Sequence, residues 1–328
     1  MRYINGVRII WSHPGNASFH NGMDIIGTLT NLSTSECQLV SELRLGLTLA
    51  EYKKRASRLR ITPNKASRIL KKIRELGVLT PATREGTSDT EGRYWLRRLG
   101  SAHLVHNRSL HTVMLTSLDP LGRMLALGLA CAGIGTLITN DTQAIPWASS
   151  AWWGLNLVGM QRREGLRLDF KSRGLSTKVT TSATEIDLLV SINSPVEDPV
   201  LAQEALSRGI PHLPITFTGT SMRVGPLVTA RLGPCIQCVN LHRTQLDPAW
   251  PLTATQLYST PPLEADASLI MQGAGKALSA SLSFLDRRDE TQIGAVNIIN
   301  SEGQTSREEI RAHPDCGCHV LPAALVSA

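Results

Sequence analysis

The first 29 residues alternate between apolar and polar side chains. Val7, Ile9 and Trp11 are separated by polar or outward-facing positions, which is typical of a strand with one buried face. A turn is predicted at 13–16, where proline, glycine and asparagine cluster, and a second extended stretch is predicted at 23–29. The pattern therefore indicates a small sheet at the amino terminus.

The period then changes to that of helices. Ser33 and Thr48 are each followed three residues later by glutamate, the capping box that begins a helix. A third helix is predicted from Thr62-Pro63 to Gly77, because proline is favoured in a first turn and glycine ends helices. Strands followed by three short helices predict a small winged helix-turn-helix-like domain over residues 1–80.

The rest of the chain predicts a second, larger domain. Segment 81–110 is polar and poor in apolar residues, so we predict a loop or linker. Apolar strand patterns then alternate with helical ones, which is typical of a doubly wound α/β domain, here over 111–328. The predicted strands are 111–117, 136–139, 187–192, 210–217 and 294–299, and the predicted helices are 121–132, 199–207 and 269–285. Small residues in the last helix suit close packing or a dimer interface.

Charge is concentrated in the amino-terminal part. The chain has a formal net charge of +7, and residues 1–80 hold 13 basic and 5 acidic side chains. The third helix carries Lys65, Arg68 and Lys72 around its apolar stripe. This surface favours three alternatives: binding of an acidic peptide by strand addition, structural packing, or contact with DNA phosphates. We expect a cytoplasmic protein without a membrane partner, since the sequence shows neither a signal peptide nor a run of about 20 apolar residues.

Four of the six cysteines form two close pairs. Cys235 and Cys238 make a C-x-x-C motif, and Cys316 and Cys318 a C-x-C motif near the carboxyl end. Four thiolates suit tetrahedral zinc, and a closed four-cysteine set predicts a structural rather than a catalytic ion. The alternative is a set of free or redox-active pairs. His313 and His319 are candidate substitute ligands, whereas Cys37 and Cys131 are expected in the core.

Residues 113–141 resemble the ThiF/MoeB and ubiquitin-activating superfamily in the order of strand, phosphate loop, helix, glycine turn and acidic strand end. The run Cys131-Ala132-Gly133-Ile134-Gly135 matches its Ala-Gly-x-Gly turn closely. The resemblance implies a Rossmann-like, doubly wound sheet with a two-plus-two cysteine zinc site. It also implies an ATP site, in which a glycine-rich loop approaches the phosphates and an aspartate holds the ribose.

Three positions retain the nucleotide contacts that the resemblance implies. Gly122 is the one glycine kept from the glycine-rich loop, which falls on 117–122. Asp141 matches the ribose-binding aspartate, and Arg162 matches the basic residue that contacts the phosphates. A structural role for Asp141 and a surface position for Arg162 remain the alternative.

Other contacts of that family have no counterpart. Leu118 and Asp119 are predicted to crowd the phosphates, and Asp119 adds a negative charge. The family's Asn-Arg-Gln segment is missing from 144–149, and Ser194 stands where an aspartate assists magnesium. These changes put ATP binding in doubt, so the chain is not expected to adenylate a substrate on its own.

Residues 224–251 resemble ThiF-like proteins of bacteriocin biosynthesis that are associated with cyclodehydratases. Some members of that group bind the leader of a precursor peptide and deliver its core to an ATP-using YcaO enzyme. Within this stretch, a site function for His242, Arg243 and Asp247, with Arg243 binding a carboxylate or phosphate, is one interpretation. The favoured alternative is a structural pair of Arg243 and Asp247 that caps the turn.

The leading hypothesis is thus a peptide-binding or protein-binding scaffold, expected as a homodimer, that presents its substrate to such a partner. The alternatives are a divergent carboxyl-activating adenylyltransferase and a winged-helix regulator of DNA.

Overall fold

The computed structural model describes residues 1–4, 6–80, 90–99, 103–193, 195–230, 232–287 and 291–319. The chain divides into two compact units, Met1–Val105 and His106–Ala328. Across the described residues, every helix is too short or too polar to span a bilayer.

The amino-terminal unit contains five short strands, β1 (Arg2–Tyr3), β2 (Val7–His13), β3 (Asn16–Asn21), β4 (Asp24–Leu29) and β5 (Leu79–Thr80). β1 pairs with β5, and β2, β3 and β4 form a three-stranded antiparallel sheet in that order. Ile9 of β2 and Phe19 of β3 share the buried face, as the alternation predicted for Ile9. β3 was not predicted as a separate strand, because its polar residues outnumber its apolar ones.

The first three helices of this unit begin where their capping signals predicted. They are α1 (Thr34–Glu42), α2 (Leu49–Arg58), α3 (Pro63–Glu75) and α4 (Thr90–Leu99), and α5 (His103–Arg108) leads into the second unit. Both capping boxes form, at Ser33 with Glu36 and at Thr48 with Glu51. The prediction of irregular structure for 81–110 is wrong for α4 and α5. A polar sequence there still permits helices, and Trp95 supplies α4 with a buried side chain.

The second unit is built on an eight-stranded Rossmann-like sheet. Its strands are β6 (Thr112–Leu115), β7 (Thr136–Ile138), β8 (Lys178–Thr180), β9 (Leu188–Asn193), β10 (His212–Phe217), β11 (Ser221–Val224), β12 (Ala295–Asn300) and β13 (Thr305–Glu309). The order is β13-β12-β11-β10-β9-β6-β7-β8. The five neighbouring strands β8, β7, β6, β9 and β10 are parallel. β11, β12 and β13 extend the sheet beyond β10 by antiparallel pairing.

This order creates a switch point between β6 and β9. From β6 the chain moves outward to β7 and β8, then returns to the other side of β6 for β9 and β10. Loops that leave the carboxyl ends of β6 and β9 therefore diverge and open a crevice, where α/β sheets bind their ligands. The helices around the sheet are α6 (Pro120–Cys131), α7 (Ser150–Trp153), α8 (Arg162–Ser172), α9 (Pro199–Ser207), α10 (Ile236–Leu246), α11 (Trp250–Tyr258) and α12 (Ala267–Leu285).

The small residues of α12 serve close packing. A Cβ built on Gly273 would lie 2.9 Å from Met222 of β11 and 3.2 Å from Leu121 of α6. On the facing helix, Gly128 accommodates Leu278 of α12 in the same way. Of the two predicted uses of this helix, packing is thus present, and dimerisation remains a prediction.

A buried ion pair joins the end of α12 to the start of the sheet. The Arg108 guanidinium donates to both carboxylate oxygens of Asp286, at 2.9 and 2.7 Å, and to the carbonyl of Ala132 at 3.1 Å. Arg108 is fully buried. Removing one partner of such a pair strands the other charge, so the pair fixes where α5 enters the sheet.

Gly122 allows α6 to start very close to β6. A Cβ at this position would lie 2.0 Å from the carbonyl oxygen of Ser117, which only a backbone shift could relieve. We expect Gly122→Ala to lower the free energy of unfolding by about 3 kcal/mol, the upper part of the range for overpacking. Chemical denaturation followed by circular dichroism measures this change.

Gly275→Ala is the matched control, because Gly275 lies in α12 with nothing within 4 Å of a built Cβ. It should raise stability by about 0.5–1 kcal/mol, the ordinary gain of alanine over glycine inside a helix. Equal stability of the two variants would contradict the close approach.

Candidate functional site

In the loop after β6, at the switch point, two backbone N–H groups donate hydrogen bonds to side chains of the same protein. The N–H of Leu118 donates to Oδ2 of Asp141 at 2.8 Å, and the N–H of Asp119 donates to Oγ of Ser117 at 3.1 Å. The prediction that Leu118 crowds the phosphates is wrong, because its side chain is fully buried in the core of the unit.

Asp119 closes the first turn of α6. It is the N-cap residue, and its carboxylate accepts a hydrogen bond from the N–H of Gly122 at 2.8 Å. Pro120 has no N–H to offer. Burial raises the pKa of Asp119, against the opposing effects of the Gly122 bond and of Arg162. The helix N-terminus, which would attract a phosphate, is therefore already occupied by a carboxylate of the same chain.

Asp141 and Arg162, predicted as nucleotide contacts, lie together in the structure. Oδ2 of Asp141 accepts from Nη1 of Arg162 at 3.2 Å, and Oδ1 accepts from the N–H of Gln143 at 3.0 Å. The Asp141 side chain is buried and that of Arg162 is half-buried, at 12% exposed, so the alternative of a surface arginine is wrong. Nε of Arg162 is buried without a hydrogen-bond partner among the described residues. Ser194, the position of the missing aspartate, lies outside the described residues.

The four paired cysteines converge into one cluster. Cys235 caps the N-terminus of α10 and Cys238 lies in its first turn. The Sγ atoms of all four lie within 4.8 Å of one another, with 3.6 Å from Cys235 to Cys316 and 3.5 Å from Cys238 to Cys318. A tetrahedron of thiolates about 2.3 Å from a metal has edges of about 3.8 Å. The donor set thus fits a tetrahedral metal ion, with every position filled by the protein.

Burial and hydrogen bonds act differently on the thiols of the cluster. Burial raises the pKa of the Cys235 thiol to about 11, so a neutral thiol is expected there near pH 7 without a cation, and it also raises the pKa of Cys318. At Cys238, burial is outweighed by hydrogen bonds, which lower the pKa. A divalent ion would stabilise the thiolates directly. The buried location therefore agrees with a metal site better than with reactive thiols, which require exposure.

His313 supports the cluster from the second pair. Its Nδ1 accepts the N–H of Asp315 at 3.1 Å, and its ring packs edge-on against His242, with centroids 4.8 Å apart. His242 in turn bonds to the carbonyl of Arg311 at 2.9 Å. These rings pack the segment that carries Cys316, and the group with metal-ligand geometry consists of cysteines alone among the described residues. The side chain of His319 lies outside the described residues.

Arg243 does not pair with Asp247. Nη1 of Arg243 donates to Glu197 at 3.0 Å, and its guanidinium lies 4.8 Å from the ring centre of Trp250. Asp247 instead accepts the N–H of Ala249 at 2.9 Å. Glu197 was not predicted as the partner, because it lies 46 residues before Arg243 in the sequence.

The prediction that Cys131 lies in the core is wrong, because this cysteine is exposed.

A buried serine–histidine pair was also not predicted from the sequence. Oγ of Ser191 on β9 lies 2.7 Å from Nε2 of His212 on β10, and both residues are almost completely buried. Burial lowers the pKa of His212 to about 4, so the ring is neutral near pH 7. β9 and β10 are adjacent parallel strands, which brings the two side chains together. Their burial keeps a substrate from reaching them. This pair is a core contact and not a nucleophile with its base.

Chains of known structure share this α/β fold. No protein-family profile matches the sequence, and no curated protein matches it.

In structure, the chain is similar to E. coli MccB with ATP (13% identity, TM-score 0.65, covering 97% of this chain and 98% of MccB). It is also similar to the microcin C7 biosynthetic enzyme MccB in complex with N-formylated MccA (14%, 0.65, 97% and 99%) and to PaaA (12%, 0.66, 93% and 99%). At these identities the likeness shows a shared fold over nearly the whole chain.

The cysteine geometry predicts one tightly held metal ion per chain. Cys238→Ser should lower the metal content of the purified protein to near zero, because a hydroxyl replaces one of four thiolates and the remaining set no longer closes the tetrahedron. Plasma mass spectrometry of the purified protein measures the metal. Cys131→Ser, which changes an exposed cysteine outside the cluster, is the control and should retain the ion. A full metal complement in Cys238→Ser would contradict the assignment.

Proposed function

We propose that this chain is a ThiF-like scaffold that binds a peptide and presents it to a separate modifying enzyme, without adenylating the peptide itself. The observation that carries this proposal is that backbone donors of the loop after β6 already have partners within the chain, and we call this the closed loop. Asp119 and Asp141 accept the hydrogen bonds of the Gly122 and Leu118 N–H groups, so these two backbone donors are unavailable to ATP. Two carboxylates beside one arginine also disfavour a further anion there.

Peptide binding is supported by the fold that the chain shares with MccB. MccB is a microcin C7 biosynthetic enzyme, and its structures include complexes with ATP and with N-formylated MccA. A fold of this size therefore accommodates both kinds of ligand in that protein. In the present chain the nucleotide part is closed, which leaves peptide recognition as the activity that the fold supports best.

We assign the peptide site to β4 of the amino-terminal unit, a module that we interpret as winged-helix-like. β4 is an edge strand, and among the described residues its backbone bonds only to β3. Met23, Ile25 and Ile26 are exposed along it, with Met23 at 97% and Ile25 at 63%. An extended peptide could add to this edge by main-chain hydrogen bonds and pack its own side chains on these residues.

The opposite edge of the same sheet is less suitable. Nη2 of Arg44 donates to the carbonyl of Ile9 on β2 at 3.3 Å, which covers part of that edge. On the β4 side, Leu76 at the end of α3 fills the space beside Gly27. Leu76, the residue after α3, thus contacts β4, and α3 itself displays exposed basic side chains, including Arg68 and Lys72. These charges favour a peptide with acidic residues.

The remaining parts of the proposal follow from the same hypothesis. We infer that the cluster ion is zinc, since four cysteines in a closed tetrahedron are its usual structural ligand set. We also propose homodimerisation and a YcaO-type partner enzyme, because a scaffold without ATP chemistry of its own needs a partner that supplies it.

The closed loop predicts that the purified protein does not bind ATP. Isothermal titration with ATP and magnesium should show no binding at millimolar nucleotide, and ATP–pyrophosphate exchange should remain at background. The physical reason is that binding would first have to break the Asp119 cap and the bond from Leu118 to Asp141.

The opposite result would favour an adenylyltransferase. Its signature is exchange stimulated by a peptide and abolished by Arg162→Ala, since Nε of Arg162 is the buried donor left for a ligand. Arg167→Ala changes an exposed arginine on the same helix and serves as the control.

The open edge predicts where peptides bind. A phage-displayed library of 15-residue peptides should yield acidic sequences with alternating aliphatic residues, and fluorescence anisotropy measures their affinity. Ile25→Glu should weaken binding about tenfold or more, equivalent to about 1.4 kcal/mol, because it removes an aliphatic contact and repels acidic residues. Ile10→Glu on β2, which is 46% exposed, is the matched control and should leave affinity unchanged.

Equal losses in both variants would sink the assignment to β4. Salt-dependent binding of duplex DNA that is lost in a variant combining Arg68→Ala and Lys72→Ala would instead favour the winged-helix regulator, for which the basic face of α3 is the supporting observation.

A further inference from the structure

α10 connects the cysteine cluster to the crevice side of the sheet. Cys235 caps its N-terminus, and Arg243 lies eight residues further along the helix. At 1.5 Å per residue the two positions are roughly 12 Å apart along the axis. Cys235 follows the segment whose Val228 bonds to His212 at the amino end of β10. The helix therefore runs from the amino end of the parallel strands towards their carboxyl end.

Arg243 makes two contacts at the far end of α10. Its guanidinium pairs with Glu197 at 3.0 Å, in the segment between the carboxyl end of β9 and α9. It also stacks on Trp250, the first residue of α11, whose Nε1 bonds to Asn240 at 3.2 Å. The Glu197 side chain is 4% exposed. A charge that well shielded from water depends on its partner more than a surface charge does.

α11 has few other contacts that hold it. None of its nine residues is buried, and Leu252 and Tyr258 are exposed. Its far end is tied by the hydroxyl of Tyr258, which donates to Asp198 at 3.0 Å, next to Glu197 in the same segment. α11 and the segment before α9 are therefore held to each other, and both are held by Arg243.

We propose that Arg243 is a positioning residue that couples the metal state of the cysteine cluster to the order of the crevice edge. When the ion is bound, it fixes the first turn of α10 through Cys235 and Cys238. The rigid helix then holds Arg243 against Glu197 and Trp250. When the ion is lost, the first turn loosens, and residues 195–198 and α11 become mobile while the central strands remain ordered. The inference rests on the proposed metal occupancy and is independent of peptide presentation.

Hydrogen–deuterium exchange with mass spectrometry tests this coupling on the purified full-length chain. Removing the ion with a chelator should speed exchange in 195–201 and 250–258 by about tenfold or more, with β6 and β9 unchanged. Arg243→Met should speed exchange in the same two segments while the metal content stays at one ion per chain. Arg208→Met, which removes the exposed pair with Glu204 on α9, is the control and should change neither.

Each other outcome decides against the coupling. If chelation speeds exchange in the two segments but Arg243→Met does not, the ion stabilises them through contacts other than those of Arg243. Faster exchange throughout the second unit after chelation would show a general stabilising role of the ion. A purified protein without metal would remove the proposed occupancy itself, and plasma mass spectrometry on the same sample separates that failure from the other two.

Discussion

The candidate site depends on how the backbone N–H groups at the start of α6 and in the loop before it are hydrogen-bonded. A helix N-terminus leaves N–H groups without partners, and a nucleotide-binding sheet ordinarily supplies phosphate oxygens to them. Here the carboxylates of Asp119 and Asp141 take that place. The same bonds seat the loop after β6 against β7 and place Arg162 beside Asp141. The loop after β6 is thus held in place by hydrogen bonds from within the chain.

MccB structures contain ATP and MccA, and we propose that the present chain binds a ligand of the second kind only. Its second unit contains the sheet, the switch point and a cysteine cluster that holds α10 to the carboxyl-terminal segment. The amino-terminal unit offers an open strand edge and a basic helix. We interpret the first as a rigid support and the second as the recognition element, so that binding specificity depends on a few side chains near β4.

Local signals in the sequence predicted most elements, and non-local ones were missed. The capping boxes at Ser33 and Thr48 depend on four neighbouring residues, so both were predictable. β3, β8, β11 and β13 lacked a clear apolar pattern and are strands because a neighbour pairs with them. The cysteine cluster was predictable from two short motifs. The partner of Arg243 was not, because the fold alone brings Glu197 to it from 46 residues away.

Gly122 shows that a packing constraint can look like a binding motif. A Cβ at this position would collide with the backbone of Ser117, whatever the loop binds. The close approach of α6 to β6 therefore requires a glycine here even in a loop that holds no nucleotide. A single glycine between a strand and a helix of such a sheet thus reports how the two elements pack, and it says nothing about activity.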